Sequence, residues 1–90
     1  MREKDAKKRV TFQFNDAKAS RVFLAGSFNF WDPSVQPLRK DAEGRWKTTI
    51  TLLHGVYQYR FIVDGEWKED PSSLNKQIDG SITSNSVIVV

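Results

Sequence analysis

Few side chains in this sequence are equipped for chemistry, and their types narrow the possibilities quickly. The single histidine, His54, has no serine or cysteine motif around it, so an imidazole-activated nucleophile lacks its parts and His54 reads as an ordinary turn residue. Glu66, Glu69 and Asp70 lie close together in the chain. They could set two carboxylates about 5 to 10 Å apart, the separation used in glycoside hydrolysis, but a small domain provides no cleft from which to exclude water. Asp64-Gly65 has the spacing of a turn and not of a phosphate-binding glycine loop. Without cysteine there are no disulfides and no thiolate zinc sites, and one histidine cannot build a histidine cluster. No catalysis, cofactor or metal is expected. What remains is binding through rings. Trp31 and Trp67 offer flat indoles, and Arg60 and Asn85 offer hydrogen-bonding groups to accompany them. Such a set accepts nucleic-acid bases, a partner protein or the C–H face of a pyranose.

Two of these four residues must be positioned by one stretch, Tyr57 to Trp67. Strict alternation there puts Tyr57, Tyr59, Phe61 and Val63 on one face and Gln58, Arg60 and Ile62 on the other, and Asp64-Gly65 suits the two positive-φ positions of a type I′ hairpin turn. Counting across a two-residue loop pairs Val63 with Glu66, Ile62 with Trp67 and Arg60 with Glu69. Trp67 then shares the face of Arg60, opposite the Tyr/Phe row that reads as core. An indole and a guanidinium together on an outer face suggest a ligand. On spacing alone, Trp31 and Trp67 could equally be caps over a hydrophobic rim.

The rest of the chain reads as further short strands. Val10, Phe12 and Phe14 alternate with polar residues up to the turn-prone Asn15-Asp16, and Arg21 to Gly26 is rich in β-formers. Ser27 to Pro33 mixes three aromatics with turn chemistry, and Pro33 and Pro37 bracket a loop unfit for a central ladder, so Trp31 is expected at a loop start and not between sheets. Asp41 to Gly44 is a turn, and Trp46, Thr48, Ile50 and Leu52 mark another strand that closes at His54-Gly55. Glu69 to Ser73 breaks the strand carrying Trp67. Ser86 to Val90 is apolar enough to lie inside a sheet. Strands and turns at this spacing predict an all-β, immunoglobulin-like antiparallel β-sandwich, though without the Cys-Trp-Cys signature.

Composition sets the scale. A chain of 90 residues supports one small domain that buries about 60 to 65% of its unfolded surface, so a surface site is expected. The formal charge of +3 invites a nucleic-acid reading, but five of the 14 basic and two of the 11 acidic residues precede Val10, which leaves nine of each sign from Val10 onward. Residues 1–9 therefore read as a basic N-terminal tail on a neutral domain of residues 10–90. A neutral body argues against bases and in favour of an uncharged polysaccharide. No apolar leader or membrane-length span is present in the sequence, so an intracellular, cytoplasmic location without membrane or nucleic-acid partners is expected.

Two ordered motifs sharpen this. Leu24 to Trp31 resembles the GSFNNW segment, and Gly55 to Trp67 resembles the GxYxYKFxVDGxW segment, of the family-48 carbohydrate-binding modules. These include the glycogen-binding domain of the AMP-activated protein kinase beta subunit and the N-terminal modules of isoamylases and branching enzymes. Asp70-Pro71 and Asn85 to Val89 extend the likeness, which runs from about Val10 to Val90. The resemblance implies a β-sandwich that binds α-1,4-linked glucans (glycogen, starch, maltooligosaccharides) without cleaving them. It implies Trp31 and Trp67 as stacking platforms and Asn85 as a sugar-binding amide, with Thr83 as a further polar contact. Arg60 stands where the kinase module has lysine, which exchanges a point donor for a planar fork. The spacing between Asp70 and Asn85 differs from the kinase module, so Ile78 and Ile82 both remain open as the apolar residue entering a bound glucan coil. The alternative is an interaction module that docks on a kinase or a glucan-active enzyme without binding sugar.

Overall fold

Strands form where the alternation is cleanest. In a computed structural model that describes residues 7–71, 76–78 and 84–90, eight strands follow one another: β1 (Lys7–Asn15), β2 (Val22–Gly26), β3 (Arg39–Lys40), β4 (Arg45–Leu53), β5 (Val56–Val63), β6 (Glu66–Lys68), β7 (Lys76–Ile78) and β8 (Ser84–Val89). β1, β4 and β3 make one antiparallel sheet; β2, β5, β8 and β7 make the other, in that order, with β6 also on β5. This is the two-sheet antiparallel sandwich expected from the sequence, and β8 lies between β5 and β7 as its apolar run implied. β1 already pairs at Lys7 with Leu53, so Lys7, Lys8 and Arg9, which charge alone assigns to the tail, are strand residues.

Period-two patterning explains which residues go inside. Phe12, Phe14, Trp46 and Leu52 from the first sheet and Leu24, Tyr59, Phe61 and Val63 from the second form the buried cluster, with Val10, Ile50 and Tyr57 packed at its margin. The rings interlock across the two layers. Phe12 meets Tyr59 edge-on at 4.9 Å and Phe14 meets Phe61 at 5.1 Å between ring centroids, within the range aromatic pairs favour. Trp46 is buried with its polar edge satisfied, because Nε1 donates to the carbonyl of Asp16 at 2.8 Å.

Two turns fix the hairpin and the loop that follow from this frame. Asp64 and Gly65 have φ of 49° and 88°, the type I′ pair anticipated by the Asp-Gly dipeptide. Asp64 has a second task. Its carboxylate accepts the backbone N–H groups of Ser20 and Arg21, both at 2.8 Å, while its own N–H donates to the Arg21 carbonyl at 2.9 Å, tying the β1–β2 connection to the hairpin. Pro37 lies against β2 as an isolated bridge to Phe23. The flanking bonds, Leu24 N–H to Gln36 and Leu38 N–H to Val22, leave the ladder with no need of the donor proline lacks.

Candidate functional site

One edge of β5 is shared by two strands. β6 pairs with it from Phe61 to Val63, and β8 pairs with it from Val56 to Tyr59. Arg60 falls in the seam between them. The pairing Ile62↔Trp67 is the one obtained by counting across the turn, but the ladder stops at Phe61↔Lys68, one position short of a paired Arg60 and Glu69. On the other edge of β5, Arg60 faces Ala25, whose small side chain is fully buried.

The seam is held from the core side. Tyr59 O–H donates to the Asp70 carboxylate at 2.6 Å, and the Asp70 N–H donates to Ser86 Oγ at 2.9 Å, all three residues being buried. This network anchors Asp70, just beyond the end of β6 at Lys68, and brings the start of β8 up to β5. The breaker residues seen in the sequence thus have a definite anchor.

On the outer side, Trp67 is 41% exposed, a large apolar surface left in water. Arg60 is half-buried; its Nη2 makes a long contact of 3.5 Å with the Trp67 carbonyl, and its Nε is buried without a hydrogen-bond partner among the described residues. Buried donors are nearly always paired, and an unpaired one is destabilising. Asn85 is buried, and its Nδ2 donates to Gln58 Oε1 at 3.0 Å. Gln58 and Arg60 alternate onto the same face, so the Trp67, Arg60, Gln58 and Asn85 positions are contiguous. Gln58 was identifiable from alternation as a member of this face; that it holds Asn85 was not, because the sequence gives no register between β5 and β8.

Trp31 is carried by a separate loop. It is half-buried with φ of 58°, and its N–H donates to the Gly26 carbonyl at 2.9 Å across the short 3-10 turn Ser27–Asn29. Gly26 is required there: a Cβ would stand 2.6 Å from the Gln58 carbonyl and 2.7 Å from the Phe28 ring. Asp32 closes the loop by accepting the Ser34 hydroxyl at 2.7 Å and its N–H at 2.9 Å, and these bonds hold the Asp32 carboxyl below its ordinary pKa. An open depression of ≈ 450 Å³ lies between Pro33 and Trp67, floored by Phe23 and Ile62, with Arg21 and Asp64 as the charged groups of its lining. The loop that carries Trp31 therefore borders the surface that carries Trp67. Thr83 and Ile82 lie outside the described residues, as does the side chain of Ile78. Among the described residues no three His, Asp or Glu side chains are grouped to hold a metal ion.

Known proteins resemble this chain in sequence and in fold. Residues 8–90 match the family described as the glycogen recognition site of AMP-activated protein kinase. The chain is 30% identical over 81 residues to the chloroplastic phosphoglucan phosphatase LSF1 of Arabidopsis thaliana, covering 89% of this chain and 14% of that protein. It is 43% identical over 51 residues to the human 5'-AMP-activated protein kinase subunit beta-2, covering 57% of this chain and 18% of that one. The fold superposes on a maltogenic amylase from S. marinus with a TM-score of 0.75 at 24% identity, covering 94% of this chain and 14% of the amylase. The chain thus spans less than a fifth of each of these proteins. With the match extending over nearly all of its described strands, the chain belongs to the glycogen-recognition family of carbohydrate-binding modules typified by AMP-activated protein kinase.

Proposed function

We propose that this chain is a non-catalytic module that binds α-1,4-linked glucans on the outer face of its five-stranded sheet. Trp67 and Trp31 stack on the apolar faces of neighbouring glucose units, and Arg60 and Asn85 bond to hydroxyls at their edges. The observation that carries this reading is a tryptophan left 41% exposed beside the half-buried guanidinium of Arg60. A pyranose face removes the indole from water, and a sugar oxygen accepts from the guanidinium edge beside it. The partner class is a glucan-metabolising enzyme or a kinase, supported by relatives named as a phosphoglucan phosphatase and a kinase subunit.

Binding is weak in this arrangement. If each stacked ring contributes about 1 to 3 kcal/mol and association is deducted, Kd falls at roughly micromolar to millimolar. Calorimetric titration with maltoheptaose or β-cyclodextrin tests it. Heat of binding that is lost in Trp67→Ala supports the reading; no binding at millimolar ligand, or equal binding by wild type and Trp67→Ala, rejects it. A pull-down repeated after amylase treatment identifies the docking alternative, because a partner held through glucan disappears with the glucan.

A further inference from the structure

We infer that Phe30 is a third aromatic contact for the glucan, on the Trp31 side of the surface; this rests on the glucan-binding reading above. Phe30 is 96% exposed, the most exposed of the large apolar residues among those described, and its φ of 57° lies in the left-handed region. Bulky side chains avoid that region, whereas asparagine tolerates it. The motif that Gly26 to Trp31 resembles has asparagine in this position. A phenylalanine here contributes nothing to the core and opposes its own backbone preference, and strain of this kind is retained where a site uses it.

The neighbouring Phe28 shows the contrast. Its ring packs 5.7 Å from Phe12 and 6.0 Å from Tyr57, so one phenylalanine of the turn serves the fold while the next is turned away from it. The backbone that presents Phe30 is fixed on both sides. Asn29 Oδ1 accepts the Gly26 N–H at 2.9 Å, its Nδ2 donates to the Leu24 carbonyl at 3.0 Å, and the Trp31 N–H bonds to Gly26 at 2.9 Å. With the backbone fixed, only the rotamers of the ring are left to be ordered on binding.

The surroundings favour a sugar over an apolar protein surface. Ser27, Asn29, Asp32 and Ser34 flank Phe30 and Trp31 in the chain and separate them from the exposed Val35, which is 54% accessible. A protein hot spot needs a contiguous apolar patch around its anchor. A glucan instead presents a C–H face to a ring and hydroxyls to the polar residues beside it.

The test measures melting temperature and affinity for maltotriose and maltoheptaose in wild type, Phe30→Asn, Phe30→Tyr and Trp67→Ala. Phe30→Asn is expected to melt no lower than wild type and to lose about five- to tenfold in maltoheptaose affinity, with a smaller loss for maltotriose, as one marginal stacked ring gives. Phe30→Tyr, which keeps the ring, retains most of the affinity. Unchanged maltoheptaose binding in Phe30→Asn, or an equal loss in Phe30→Tyr, overturns the inference while leaving the glucan-binding reading intact, provided Trp67→Ala still weakens binding. If wild type binds neither sugar, both fall together.

Discussion

On the inner face of β5 the phenol of Tyr59 is buried and donates to Asp70 at 2.6 Å; one residue along, on the outer face, the Nε of Arg60 is buried and donates to none of the described residues. The same contrast holds for the rings. Phe61 is fully covered, and Trp67, on the strand paired with it, is 41% exposed. A face selected only for stability closes its polar groups and covers its aromatics, and the inner face does both. At Arg60 and Trp67 the outer face does neither, although it is built on the same strand. The difference separates residues that make the sandwich from residues that the sandwich presents.

The strongest way to break that separation is to exchange the consequences. Phe61→Ala removes a ring with 0% exposure from the centre of the core and is expected to destabilise by about 3 to 5 kcal/mol, a large part of the 5 to 15 kcal/mol typical of a domain. Trp67→Ala should leave urea unfolding nearly unchanged. If Trp67→Ala unfolded as readily as Phe61→Ala, the outer tryptophan would be a structural cap and the contrast would disappear. Next in size is Tyr59→Phe, which keeps the ring and deletes only the donor to Asp70. Leaving that carboxylate short of a partner is expected to lower stability by about 1 to 3 kcal/mol, read as a lower urea midpoint at unchanged slope.

How much of this could be read from residues alone differs between the faces. The inner face was legible throughout, because alternation assigns Val10, Phe12, Phe14, Trp46 and the Tyr57 to Val63 row to one side without knowledge of which strands meet. The pairing of Ile62 with Trp67 was legible because Asp-Gly fixes a two-residue turn. The seam at Arg60 was not. It arises because β6 stops at Lys68 and β8 begins its pairing with β5 at Tyr59↔Ser86, a long-range register that no local signal encodes. The left-handed backbone at Phe30 and Trp31 was hidden for a different reason. Neither residue type favours it, so the conformation is imposed by Gly26 and Asn29 against local preference, and propensity gives no hint of it.

Arg60→Met sharpens the comparison from the polar side. Removing a buried donor that lacks a partner should leave the melting temperature equal to wild type or slightly above it, unlike Tyr59→Phe, where a satisfied donor is lost. Affinity for maltoheptaose should nevertheless fall, by roughly 1 to 2 kcal/mol, since a hydrogen bond from a charged group is removed from the complex. A drop in stability without a drop in affinity would place Arg60 with Tyr59 among the residues that make the sandwich.

The smallest effect expected is in acid, and it distinguishes the loop beside the outer face from the turn on the opposite sheet. Asp41 caps the β3–β4 turn, accepting the N–H groups of Glu43 and Arg45 and bridging to the Arg45 side chain, which also pairs with Glu43. The Arg45 N–H is foremost in holding the Asp41 carboxyl below its ordinary pKa, as the Ser34 hydroxyl is for Asp32. Because both folded values are depressed, the stabilisation each carboxylate gives is fully present above the ordinary 3.8 and is lost as pH falls through the folded value. Asp41→Ala and Asp32→Ala should therefore each melt slightly below wild type by a constant margin from pH 7 to about pH 5, a margin that narrows below the ordinary carboxylate pKa as wild type protonates. Only Asp32→Ala should also weaken maltoheptaose binding near neutral pH, because its turn orders the loop that follows Trp31. Equal affinity in the two variants would mean that this loop does not take part in the outer face. A margin for Asp41→Ala that persisted unchanged at pH 2 would mean that its turn is held by something other than the ionised carboxylate.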